Sequence, residues 1–149
     1  MQSVEVKAIE RSDFDIWLPL WEGYQRFYKV DIPKAVTRDT WERFFDPNEP
    51  MQAALALVCG QPCGFVHTVY HRSTWTSADY CYLQDLFVAP DARGRGIGRT
   101  LIEHVYAEAK RRKAPRVHWL THETNYPGRL LYDAVGERSG FIQYRKVLA

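Results

Sequence analysis

The segment Leu86-Phe87-Val88-Ala89-Pro90-Asp91-Ala92-Arg93-Gly94-Arg95-Gly96-Ile97-Gly98-Arg99 constrains this chain more than any other. An apolar strand ends at Ala89-Pro90, a short turn follows, and a glycine-studded loop leads into a helix. Glycines there let successive backbone N–H groups converge on an anion, because no Cβ blocks close approach. The helix start adds its unpaired donors and the positive end of its dipole. Such a loop suits a pyrophosphate. The dinucleotide fingerprint G-x-G-x-x-G is excluded, because Gly94-Arg95-Gly96-Ile97-Gly98-Arg99 has the wrong spacing. The Walker loop is excluded too, since it ends Gly-Lys-Ser/Thr and this one ends Gly98-Arg99-Thr100.

The rest of the chain supplies the elements around that loop. Val4, Val6 and Ala8 alternate in a first strand from Ser3 to Ile9. Ser12 is expected to cap a helix, with Asp15 completing a variant capping box. Phe14, Trp17, Leu18, Trp21, Tyr24 and Tyr28 keep helical spacing, and Pro19 predicts a kink or break near Ile16. A second helix runs from an N-cap at Thr37 through Trp41, Phe44 and Phe45 to Asp46-Pro47. Ala53–Cys59 and Gly64–His71 read as a hairpin about Gly60-Gln61-Pro62. Beyond the polar loop Arg72–Asp79, Tyr80–Val88 is a strand and Thr100–Arg112 an amphipathic helix. Arg116–Thr121 reads as a strand, Tyr126–Val135 as a helix, and Phe141–Leu148 as the last strand. No repeat or linker interrupts the series, so one mixed α/β domain over residues 1–149 is expected.

Composition narrows the function. A net charge of +2 gives no bulk attraction for nucleic acid. The run Lys110 to Lys113 reads as a solvated helix end, where cations suit the dipole. Cys59, Cys63 and Cys81 form neither a disulfide framework nor a zinc spacing, so no metal is expected. No stretch is apolar enough to serve as a leader or membrane span, which points to a cytoplasmic protein without a membrane partner. Aromatics reach 14%, and Trp21, Tyr24, Phe27, Tyr28 and Trp41 could wall a site for an alkylammonium, with Glu22 and Asp31 nearby. At helical spacing they read first as core.

Two motifs resemble those of the GNAT N-acetyltransferase superfamily. Arg93-Gly94-Arg95-Gly96-Ile97-Gly98 is similar to its (Q/R)-x-x-G-x-(G/A) signature. Asn125-Tyr126-Pro127-Gly128-Arg129-Leu130-Leu131-Tyr132 is similar to its N-x-x-A-x-x-L-Y segment, with Gly128 in place of alanine. Thr121-His122-Glu123-Thr124-Asn125 and the tail Phe141-Ile142-Gln143-Tyr144-Arg145-Lys146 resemble the histone/polyamine-acetylating branch. The resemblance implies a mixed, mostly antiparallel sheet, splayed after its fourth main strand and flanked by helices. It implies acetyl-CoA as co-substrate and a primary amine, on a small molecule, polyamine or protein, as acceptor. By the same resemblance, amides of Arg93, Gly94, Arg95, Gly96, Ile97, Gly98 and Arg99 hold the pyrophosphate. Val88 N–H and Asn125 meet the pantetheine, Leu86 N–H meets the acetyl carbonyl beside a strand bulge, and Tyr132 is the general acid.

An acceptor amine must shed its proton to attack, and some members place a glutamate on this strand as base. Tyr82 stands at the matching position here. Asp85 or Glu123 acting through water, Tyr82 and His122 are the candidates that remain. Cys81 has no visibly paired histidine, so direct attack without a covalent enzyme intermediate is expected. The tail after Gly136 is shorter than the usual terminal hairpin requires, which leaves an abbreviated hairpin or one completed by a second copy in a homodimer. A non-catalytic acyl-CoA-binding sensor is the rival function.

Overall fold

A five-stranded sheet organises the computed structural model, which describes residues 3–149. Strands β1 (Val4–Ala8), β2 (Met51–Val58), β3 (Gln61–His71) and β4 (Tyr80–Val88) run antiparallel in chain order. Strand β5 (Val117–His118) lies parallel to β4, pairing only Cys81 with Val117 and Tyr82 with His118. Beyond Tyr82 the two strands part, and the sheet is splayed there as expected.

Side chains alternate across each strand, so the sheet has two apolar faces. On one, helix α3 (Ile97–Arg111) lays Leu101, Ile102, Val105 and Ala109 against Ala54, Ala56, Val66 and Leu83. On the other, α1 (Phe14–Tyr28) and α2 (Lys34–Arg43) bring Trp17, Trp21 and Trp41 onto Leu55, Phe65 and Phe87. The surplus of aromatics is therefore largely core. Helix α4 (Tyr126–Val135) closes the far end, tied to α3 by the Tyr106 hydroxyl donating to Val135 O at 2.6 Å.

Local chemistry shifts several expected boundaries. The first helix is entered by a 3₁₀ turn, Arg11–Asp13, with Glu10 and Asp13 forming the capping box, not Ser12 and Asp15. Asp13 is drawn inward by Lys7, 3.0 Å away, and accepts Glu10 N–H at 2.8 Å. Helix α1 continues unbroken through Pro19. The ring removes one early hydrogen bond there, while burial of Trp17 and Trp21 holds the helix on both sides. Thr37 does not cap α2, which begins after Pro33; its hydroxyl instead accepts Trp21 Nε1–H at 3.1 Å.

The β2–β3 turn is Cys59-Gly60, both at positive φ, with Gln61 and Pro62 already paired in β3. Two-residue hairpin turns demand that geometry. Helix α3 starts at Ile97, three residues before the expected Thr100, and β5 is shorter than Arg116–Thr121. Residues 141–148 form no strand and stand in solvent, because β5 offers them too short an edge to pair with.

One irregularity in β4 matters for the site. His67 pairs with Asp85 and Thr68 with Leu83, so Gln84 is an extra residue, a β-bulge. Its effect shows in two backbone bonds. Cys81 N–H donates to Arg116 O towards β5, whereas Ala89 N–H donates to Cys63 O on β3. Residues an even number apart should point the same way. The bulge reverses the phase, so Leu83 faces α3 while Asp85 and Phe87 face α1.

Candidate active site

The gap between β4 and β5 opens into a cavity of about 230 Å³. Tyr24 and Tyr28 of α1, Tyr82, Gln84 and Leu86 of β4, and Tyr132 of α4 line it. Trp119, Thr121 and His122 after β5, with Gln143 from the tail, complete the wall. Because Ala89 N–H points to β3, alternation turns the N–H groups of Leu86 and Val88 towards the side that β5 has vacated. Main-chain donors thus edge the same opening that Tyr132 faces.

The glycine loop lies at the end of this strand. Ala92 and Ile97 are buried and anchor its two ends, while Arg93 to Gly96 are exposed. Gly94 and Gly96 have φ of +80° and +77°, and a Cβ on either would meet nothing within 4 Å. Among the described residues, no main-chain carbonyl accepts the N–H of any residue from Gly94 to Arg99. The loop is thus open, with donors free and the positive end of α3 behind them. The Arg93 side chain turns back instead, donating from Nε to Val88 O at 3.0 Å and lying over Phe27 and Phe87. Arg99 pairs with Glu103 at 3.0 Å.

Helix α4 is held by Asn125. Its Oδ1 accepts from Gly128 N–H at 3.3 Å and its Nδ2 donates to Thr121 Oγ1 at 3.0 Å. A Cβ at Gly128 would collide with that amide, so the glycine makes room for Asn125. Tyr132 packs edge-on against Trp119, with ring centroids 5.6 Å apart. Burial, with Tyr28 nearby, pushes its phenol up to about 12.

The candidate bases separate in space. Tyr82 and His122 line the cavity, whereas Glu123 is exposed and stands away from the wall. Asp85 is buried behind the wall, where it accepts the Tyr24 hydroxyl at 2.6 Å and lies 2.9 Å from His67 Nδ1. Sequence reasoning passed over His67. Its signal was a lone imidazole inside the otherwise apolar and neutral run Phe65-Val66-His67-Thr68-Val69.

Known proteins share this architecture. The family model described as Acetyltransferase (GNAT) family matches residues 17–136. The chain is 37% identical over 145 residues to the D-amino-acid N-acetyltransferase HPA3 of Saccharomyces cerevisiae, covering 96% of this chain and 90% of the relative. A solved structure described as a probable acetyltransferase superposes with a TM-score of 0.86 at 22% identity, over 97% of this chain and 98% of its own. The aminoglycoside N-acetyltransferase AAC(6')-Iy, in complex with the bisubstrate analog CoA-S-monomethyl-acetylneamine, superposes with a TM-score of 0.82 at 18% identity, over 98% and 99%. At these identities the two structures speak for the fold.

Proposed function

This chain belongs to the acetyltransferase (GNAT) family and is an N-acetyltransferase of amines, and from that premise we propose that it uses acetyl-CoA to acetylate a small primary amine by direct attack. The observation that carries the reading is the open glycine loop, with its free amides, at the end of a strand whose own N–H groups edge the cavity. When bound, acetyl-CoA supplies an activated acetyl thioester.

The chain's residues have distinct tasks in this reading. Amides from Gly94 to Arg99 hold the pyrophosphate, as a helix start does for anions, whereas the Arg93 N–H, expected among them, donates to Pro90 O at 3.5 Å. Val88 N–H and Asn125 hold the pantetheine arm, the latter while capping α4. Leu86 N–H donates to the acetyl oxygen, where negative charge gathers in the transition state. The amine nitrogen bonds to the carbonyl carbon as the carbon–sulfur bond breaks. Tyr132, which burial keeps protonated, gives its proton to the departing thiolate.

A D-amino acid heads the acceptor list, because that is the substrate named for the relative at 37% identity. Polyamines, aminoglycosides and peptide amines complete a test panel. Free thiol released from acetyl-CoA with one amine class supports the reading. Binding of coenzyme A without thiol release would leave a sensor module instead.

Assembly and setting follow from other features. Phe141, Ile142, Tyr144, Val147 and Leu148 are 73–89% exposed, more apolar surface than a lone chain keeps in water without a partner. Residues 141–148 therefore pair with a second copy in a homodimer, and Gln143 brings that interface to the cavity. Three free cysteines suit a reducing cytoplasm. Among the described residues, no helix is long and apolar enough to cross a membrane.

A further inference from the structure

Behind the cavity wall lies a chain of polar groups that packing alone does not require. Trp17 Nε1–H, a donor with no acceptor capacity, donates to His67 Nε2 at 3.0 Å. Nε2 therefore carries no proton, and the neutral ring bears its proton on Nδ1. Nδ1–H donates to Asp85 Oδ2 at 2.9 Å. The other carboxylate oxygen, Oδ1, accepts the Tyr24 hydroxyl at 2.6 Å, a length typical of O–H···O⁻ bonds. Trp17, His67 and Asp85 are buried, and of the four only Tyr24 lines the cavity.

The charges along this chain do not balance. Neither partner of Asp85 is a cation, and among the described residues no Lys, Arg, Asp or Glu side chain lines the cavity. A buried carboxylate without a cation is costly. Here an alkylammonium entering the cavity would supply the missing charge. The single hydroxyl proton of Tyr24 is committed to Asp85, so lone pairs of its oxygen remain to accept from the amine. The other titratable groups facing the pair are Tyr28 on α1, Tyr82 on β4, His122 after β5 and Tyr132 on α4. Burial and Asp85 push the Tyr28 and Tyr82 phenols up, so both stay protonated near neutral pH.

We propose that Tyr24, backed by Asp85, takes the proton of the acceptor amine, and that His67 and Trp17 are positioning residues for the pair. The proposal rests on the acetyltransferase reading above. The bound ammonium first loses one proton: an N–H bond breaks, an O–H bond forms at Tyr24 Oη, and the electron pair left on nitrogen then bonds to the acetyl carbon. The original Tyr24 proton passes to Asp85 Oδ1, and the carboxylate becomes neutral. Release of that proton to water resets the pair. The second proton that acylation releases from nitrogen replaces the one that Tyr132 gives to the thiolate.

The test is kcat/KM against pH for an alkyl monoamine, read by thiol release, in wild type, Tyr24→Phe and Asp85→Asn. Calorimetric affinity for acetyl-CoA is measured alongside. The wild-type profile is expected to be flat from about pH 7 to about pH 9, because the protein removes the proton from a bound ammonium. Tyr24→Phe should lose about 100-fold at pH 7 and then climb about tenfold per pH unit towards the amine's own pKa, with acetyl-CoA affinity unchanged. Asp85→Asn should show the same slope. A Tyr24→Phe profile parallel to wild type overturns the proposal, whatever its height. A variant that no longer binds acetyl-CoA has misfolded, and the other then decides. A wild-type profile that itself climbs tenfold per unit overturns the proposal without either variant. No thiol release by wild type with any amine sinks the acetyltransferase reading instead.

Discussion

At the residue scale, one oxygen separates Tyr132 from phenylalanine, and the acid role rests on it. Tyr132→Phe should lower kcat by about 10²–10³ while calorimetry finds acetyl-CoA affinity within about twofold of wild type. The pH dependence has a definite sign. A phenol raised to about 12 by burial is competent while protonated, so its contribution persists through alkaline pH and is lost only as pH rises through that value. With saturating amine, kcat should therefore stay level to about pH 10, where an ordinary tyrosine near 10 would already be half ionised. A decline by half at that pH would show that Tyr132 is not the raised acid. Tyr132 was legible because its position in a motif marks it. The Trp17–His67 bond was not, since 50 residues separate its partners and only the folded sheet brings them together.

Elements were legible where the chain itself bounds them. Strand β4 and helix α4 fall on their expected limits because turn residues or a proline mark both ends. Ser12, Asp15 and Thr37 misled because a cap depends on which nearby carboxylate or hydroxyl has another partner, and Lys7 and Trp21 decided that. A strand also needs an edge to pair with, which no local pattern provides, so β5 and the tail departed from expectation. The spacing of β3 and β4 gives a sharp contrast between two glycines. A Cβ at Gly64 would stand 2.7 Å from Phe87 O, forcing the strands apart. Gly64→Ala should lower stability by about 2–4 kcal/mol in urea unfolding. Gly94→Ala meets open space but a positive φ, so it should cost about 1–2 kcal/mol and weaken acetyl-CoA binding in calorimetry. Equal losses at the two sites would contradict this account of the loop.

On the scale of the whole molecule, the two-faced sheet and its opening were foreseeable from the family resemblance, while the bare tail was not. If residues 141–148 join a second copy, sedimentation should give twice the 17.4 kDa chain mass. Replacing Phe141 and Tyr144 together by Asp should return the single-chain value, because charge opposes burial of that segment. A single-chain mass for the wild type would rule the homodimer out. The bulge at Gln84 bears on how this protein can vary. Exchanging that amino acid for another leaves the register downstream intact. Losing its codon would swing everything from position 85 onward half a turn about the strand axis, pressing a carboxylate into the apolar face that α3 covers and stranding His67 and Tyr24 without their anion. Natural variants should accordingly tolerate spelling changes at this point far better than a shortened text.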